Sequence, residues 1–258
     1  MNWNLILAAI HLIAGIGLFV YGYLNRNIEF SFPLYWGGSG TSGDPAYNLK
    51  GVYLVYAAAA FLVITGLFHL FYSQSKIYDY EIAAGRQRLR WLEYGITATI
   101  MVVIIAIISG VRDLYTIIAL AGLSFGIMMT GLWFEGGGSG GSQSHSWIPI
   151  IVGFAMLAVV VYIILYNFFD EKKRYEAENS ETLPTWITWS VIGTLGFFSI
   201  FGIVPVLQML GSWSSSFNWS YMTYEKIYMI LSATAKLYLG GLLGYGLIKR
   251  IQVEDESE

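Results

Sequence analysis

The 258-residue chain contains no cysteine. That removes disulfides, thiolate catalysis and cysteine–metal sites together. Charge is scarce as well: Asp, Glu, Lys and Arg make up 12% of the residues, against about 25% in an ordinary soluble domain. The net charge of −3 leaves no basic excess for a nucleic-acid partner.

What the chain has in quantity is apolar sequence, with 56% hydrophobic residues and a mean hydropathy of +0.58. A helix crossing the hydrocarbon core needs roughly 20 mostly apolar residues. Seven segments meet that length, at about 4–24, 51–73, 89–109, 114–134, 147–169, 185–211 and 222–248. They predict a single all-α membrane domain over residues 1–258, a seven-helix bundle with the lipid bilayer as its solvent. The first segment is read as a retained helix, because its apolar run is long and no basic residue precedes it.

The connections are short apart from two. Residues 25–50 alternate apolar residues with glycine turns, which predicts a small β-hairpin outside the membrane. Residues 170–184 are charged and end in proline, which predicts a solvated linker. The tail EDESE is acidic and reads as disordered, and the Gly/Ser stretch 136–144 reads as a flexible loop, natural or engineered. Trp3, Tyr21, Tyr23, Tyr53, Trp91, Trp133, Trp147 and Trp219 gather at segment ends, as in an interfacial belt. Aromatic abundance alone accounts for that pattern equally well. Gly122-x3-Gly126 and Gly240-x3-Gly244 permit close helix contact, within the chain or between chains.

Ionisable groups inside the hydrocarbon cost free energy and mark function. Lys236 sits midway along the seventh segment, and Glu93 is the one acid read as clearly inside a span. His11 lies in the first segment and His69 near the end of the second. Counting inward at ~1.5 Å per residue, His11 is ~10 Å deep, and His69 and Glu93 are ~6 Å deep on the same side. Lys236 is ~16 Å along its helix, near the bilayer centre. A lysine stem pointing to that side brings its nitrogen to Glu93. One reading is an ion pair that only joins two helices, as in a transporter gate. The other is a lysine that forms a Schiff base with an aldehyde. Two histidines and one carboxylate already needed by the lysine make a poor metal set, so no metal site is expected.

At this point the sequence resembles the heliorhodopsins, retinal proteins of inverted membrane orientation. The resemblance covers essentially the whole chain. It is carried by LSATAKLYLGGLLGYG around Lys236, by RWLEYGITATIM around Glu93, and by the histidines of HLIAGIGLF and TGLFHLFY. It implies all-trans retinal bound to Lys236, with Glu93 as sole counterion. It also implies that His11, His69, Thr65, Thr97 and Ser232 line a hydrated cavity beside that bond. Phe201, one turn before Pro205, and Tyr94, Ala98 and Met101 are expected along the retinal slot, with ordinary core packing as the competing reading. Light-driven proton pumps carry an aspartate where this chain has Ser232. They place a second carboxylate eleven residues after the counterion, where this chain has Ile104.

The resemblance therefore implies a light-sensing, signalling photoreceptor that is neither an ion pump nor an enzyme. It implies a homodimer contacting through the 25–50 loop, an unidentified signalling partner, and a cytoplasmic amino terminus in the cell membrane. A light-gated proton channel and a non-photochemical transporter are the alternatives. Flanking charge disagrees on orientation. Lys76, Arg86, Arg88, Arg90 and Lys226 lie on the amino-terminal side, and Arg26, Lys50, Arg112, Lys172, Lys173, Arg174, Lys249 and Arg250 on the other.

Overall fold

The computed structural model describes residues 2–27, 30–37, 44–136, 146–214, 216 and 219–255, with side chains given up to Gly246 and at Lys249. Among the described residues, eight helices and one hairpin follow in order: α1 (Trp3–Leu24), β1 (Ser31–Leu34), β2 (Tyr47–Lys50), α2 (Gly51–Gln74), α3 (Lys76–Ala83), α4 (Arg88–Ile108), α5 (Leu114–Gly136), α6 (Ile148–Asn179), α7 (Thr185–Gly211) and α8 (Tyr221–Asp255). All but α3 are long and apolar enough to span a membrane. The chain is an integral membrane protein built as a seven-helix bundle.

The spanning helices close a ring in the order α1, α2, α4, α5, α6, α7, α8 and back to α1, with further packing of α2 on α8 and α4 on α7. Helix α4 is the most enclosed of them, so a carboxylate on it meets protein rather than lipid. Close approach of α1 and α2 depends on two glycines. A Cβ at Gly66 would stand 2.7 Å from Leu12, and one at Gly15 would stand 2.9 Å from Val63. Gly126, Gly240 and Gly244 face neighbouring side chains of this same chain, while Gly122 faces open space.

Helix ends follow local chemistry. Asn2 caps α1, Ser75 caps α3 and Gln87 caps α4, each through its side chain. Asp113 caps α5 by accepting from the Thr116 amide at 2.8 Å. The same carboxylate accepts the Gly37 amide at 3.0 Å, and Tyr35 bridges to Asp113 in parallel. Those bonds dock the hairpin, whose strands pair antiparallel from Ser31–Lys50 to Leu34–Tyr47, onto the α4–α5 connection.

Several expectations need correction. The linker expected at 170–184 is helical to Asn179, because its residues are good helix formers joined by Arg174–Glu171 and Lys172–Glu176 pairs. Helix α3 interrupts the connection after α2 and was not foreseen. The backbone of the tail stays helical to Asp255, while 256–258 and the Gly/Ser stretch beyond Gly136 lie outside the described residues. Trp91 is no belt residue: it is buried at 4% exposure, whereas Trp3, Tyr23, Tyr53, Trp133 and Trp219 are exposed.

Candidate cofactor site and the buried ionic clusters

Lys236 Nζ donates to Glu93 Oε1 at 2.8 Å, joining α8 to α4. The two side chains are 3% and 1% exposed. Burial of that order means neither charge is compensated by solvent, so each depends on the other. Thr65 Oγ1 from α2 donates to the same Glu93 oxygen at 2.9 Å. Thr97 donates instead to the Glu93 backbone carbonyl at 3.0 Å, one turn back along α4. Lys236 Nζ also lies 4.9 Å from the centre of the Tyr94 ring, within reach of a cation–π interaction.

His11 and His69 stack beside this pair with ring centres 5.6 Å apart. His11 Nδ1 lies 2.7 Å from the Leu7 carbonyl. A carbonyl only accepts, so that nitrogen carries the hydrogen and a neutral ring leaves Nε2 bare. His69 Nδ1 lies 2.9 Å from Asn4 Oδ1. Among the described residues, neither buried Nε2 atom has a hydrogen-bond partner.

Ahead of the lysine runs an apolar slot. Tyr94, Thr97, Ala98, Met101, Phe201 and Ser232 all line its inner end with Lys236. That inner cavity of about 20 Å3 shares Met128, Phe198 and Phe201 with a second of about 60 Å3, which extends between α5, α6 and α7 past Trp91 to Pro205. Methionines at 101 and 128 are flexible fillers that yield to an occupant. The Ser232 hydroxyl is buried without a hydrogen bond of good geometry, beside the Tyr94 hydroxyl. An amine at one end, an apolar channel beyond it and aromatic residues along the walls fit a polyene aldehyde. Every residue expected at the site therefore comes together: the histidines, Thr65 and Glu93 on the polar side of Lys236, and the rest along the slot.

A second ionic cluster was missed. Arg90 on α4, expected at the membrane surface, is 1% exposed. It donates to Glu135 Oε1 of α5 at 2.5 Å and pairs with Glu225 of α8. Its guanidinium carbon lies 4.1 Å from the Tyr228 ring centre. Glu135 further accepts from the Gln87 amide at 3.0 Å, Trp91 Nε1 at 2.8 Å and the Tyr221 hydroxyl at 3.0 Å. In sequence each of these charges stands within a few residues of a span's end and reads as a flank. The available signal was their number: two acids and an arginine at the same-side ends of three spans.

Trp91 joins the two regions. Its ring lines the slot and its N–H holds Glu135. The ring rests on Gly131, where an added Cβ would stand 2.2 Å from it.

The family model for Heliorhodopsin matches residues 1–246. A search of curated proteins returns no match. With nearly the whole chain matched, and with a buried lysine–glutamate pair at the head of an apolar slot, the chain belongs to the heliorhodopsin family.

Proposed function

We propose that the chain is a light-sensing photoreceptor in which Lys236 carries retinal and Glu93 is its only counterion. The observation that carries this reading is the 2.8 Å Lys236–Glu93 pair at the inner end of the aromatic slot. Family membership supplies retinal as the cofactor; the all-trans isomer, the attachment to Lys236 and the signalling role belong to the proposal. When bound, retinal supplies light absorption and a change of shape at the lysine nitrogen.

The chain's own residues then hold and receive a proton. Glu93 keeps it on the Lys236 nitrogen in the dark, with Thr65 fixing the carboxylate. The bare Nε2 of His11, and that of His69, stand ready to take it when the nitrogen turns away. Both histidines lie on the amino-terminal side of Lys236, so a proton received there returns by the same side. Ser232 and Ile104 occupy the positions where pumps keep carboxylates, which argues against vectorial transport. The amino terminus is taken as cytoplasmic, the 25–50 loop as a homodimer contact, and the output as a bias on an unidentified partner.

Purified protein given retinal should absorb visible light, and hydroxylamine should bleach it. Lys236→Ala should stay colourless, because no amine remains for attachment. Glu93→Gln should absorb at longer wavelength: without the carboxylate, positive charge spreads along the polyene and narrows the gap. A colourless wild type leaves the salt-bridge transporter standing, and an unmoved Glu93→Gln spectrum means another group is the counterion. The second reading, a light-gated proton conductor, is favoured by the two unpartnered Nε2 atoms. Reproducible proton photocurrent under voltage clamp would establish it over the pure sensor.

A further inference from the structure

The two buried acid–base clusters are joined by a continuous run of side chains. His69 Nδ1 meets Asn4 Oδ1 at 2.9 Å. The Asn4 side chain also stands beside the Tyr78 hydroxyl, without a hydrogen bond of good geometry. That hydroxyl reaches Glu225 Oε1 at 3.4 Å. Tyr72 braces the run, stacked on Tyr78 at 5.2 Å and edge-on to His69 at 5.8 Å between ring centres. Asn4, His69, Tyr72, Tyr78 and Glu225 are all buried.

Charge count singles out Glu225. Two carboxylates share one guanidinium, and all three side chains are at most 2% exposed. An excess negative charge in this interior is unfavourable, and one bound proton removes it. Glu135 already accepts from four donors: Arg90, Trp91, Tyr221 and the Gln87 amide. Among the described residues Glu225 has Arg90 and the Tyr78 hydroxyl as its partners. Arg90 on α4 and Tyr78 on α3 face it directly, and Glu135 on α5 with Tyr221 and Tyr228 on its own helix surround the shared Arg90. Glu225 is the carboxyl with room for the proton.

Every link in the run can donate or accept, and so can reverse. With Glu225 ionised, Tyr78 donates to it, the Asn4 amide N–H donates to Tyr78, and Asn4 Oδ1 accepts from His69 Nδ1–H. His69 Nε2 is then bare. With Glu225 protonated, its O–H donates to Tyr78, Tyr78 donates to Asn4 Oδ1, and the turned amide donates to His69 Nδ1. The ring hydrogen then sits on Nε2. One proton is gained, on Glu225; the ring hydrogen only changes nitrogen.

We propose that Glu225 is a proton-binding site that decides, through Tyr78 and Asn4, whether His69 offers a bare nitrogen or an N–H to the Lys236–Glu93 cavity. His69 faces His11 and Tyr72 there beside the Glu93–Lys236 pair, and an N–H in place of a lone pair ends its capacity to accept. The consequence for light-driven proton movement rests on the photoreceptor reading. The proton site and the tautomer change do not require retinal.

The test is 15N NMR of histidine-labelled protein, with and without retinal, titrated with pH, with the His69 signals assigned from His69→Gln. Infrared spectra of the same samples follow the carboxylic C=O band that Glu225→Gln removes. In wild type the His69 hydrogen should move from Nε2 to Nδ1 at the pH where that band disappears. Glu225→Gln, whose amide mimics the protonated acid, should keep the hydrogen on Nε2 throughout. Tyr78→Phe should retain the Glu225 band but lose the coupled step. A His69 tautomer insensitive to pH, a step at a different midpoint from the band, or a step surviving in both variants overturns the proposal. Retinal-free protein showing the coupled step but never forming pigment would sink the photoreceptor reading alone.

Discussion

Glu93 receives one hydrogen bond from the lysine and one from Thr65 on the same oxygen. A donor shared in this way draws negative charge away from the lysine. Thr65→Val removes it while preserving shape, so the carboxylate should hold the positive charge at Lys236 more firmly. Its pigment should absorb at shorter wavelength, opposite in sign to Glu93→Gln, and a visible spectrum checks this. Arg90 is the other residue whose loss is severe. Arg90→Ala leaves Glu135 and Glu225 buried without a cation, and breaking a buried pair costs about 3–5 kcal/mol. Thermal unfolding in detergent should show a large drop in midpoint, and the added mutation Glu225→Gln should recover part of it. Lys236 and Glu93 were legible because each interrupts a long apolar run. Arg90, Glu135 and Glu225 were not, since a charge near a span's end looks the same whether it turns outward to lipid headgroups or inward to a partner. Only the helix packing decides between them.

Among the elements, α3 shows what apolar patterning leaves unread. At eight residues it is too short for a periodic signature, yet it supplies Tyr78 to the interior and Glu81 to Arg86 and Arg88. Burial works to raise the Glu81 carboxyl, but hydrogen bonds from the Arg88 side chain and amide, and the charge of Arg86, outweigh it and leave it below the usual carboxylate value. A carboxyl depressed in the folded state stabilises fully above its unfolded value, and that contribution is lost as pH falls through the folded one. Protection against hydrogen exchange at residues 76–88, taken relative to the intrinsic rate at each pH, should therefore fall as pH drops below about 4.3, the ordinary glutamate value. Glu81→Gln should show the lower protection already at neutral pH and no further acid step. Spans and hairpin were readable from hydropathy and turn residues. The extension of α6 was misread because charged residues predict solvation, and a solvated helix satisfies that as well as a loop does.

For the molecule as a whole, the ring of helices places both buried clusters in one half of the membrane and the docked hairpin at the other end. The polar half then faces whichever compartment holds the amino terminus. Burial of Arg90 removes it from the flanking basic residues, leaving Lys76, Arg86, Arg88 and Lys226 against eight on the hairpin side. Flanking charge by itself places the hairpin side in the cytoplasm. Several of those eight are neutralised, however: Arg112 and Arg174 both contact Glu171, and Lys172 contacts Glu176. Arg86 and Arg88 on the amino-terminal side are paired with Glu81 in the same way, so pairing does not reverse the count, and the proposed orientation, amino terminus inside, rests on the family resemblance alone. The absence of native cysteine makes this directly measurable. Ser214 and Glu181 are both exposed, Ser214 following α7 on the amino-terminal side and Glu181 following α6 on the hairpin side. In intact cells a membrane-impermeant maleimide should label Glu181→Cys and spare Ser214→Cys until the cells are opened. The reverse pattern would invert the molecule and turn the histidine cavity and the Glu225 cluster toward the outside.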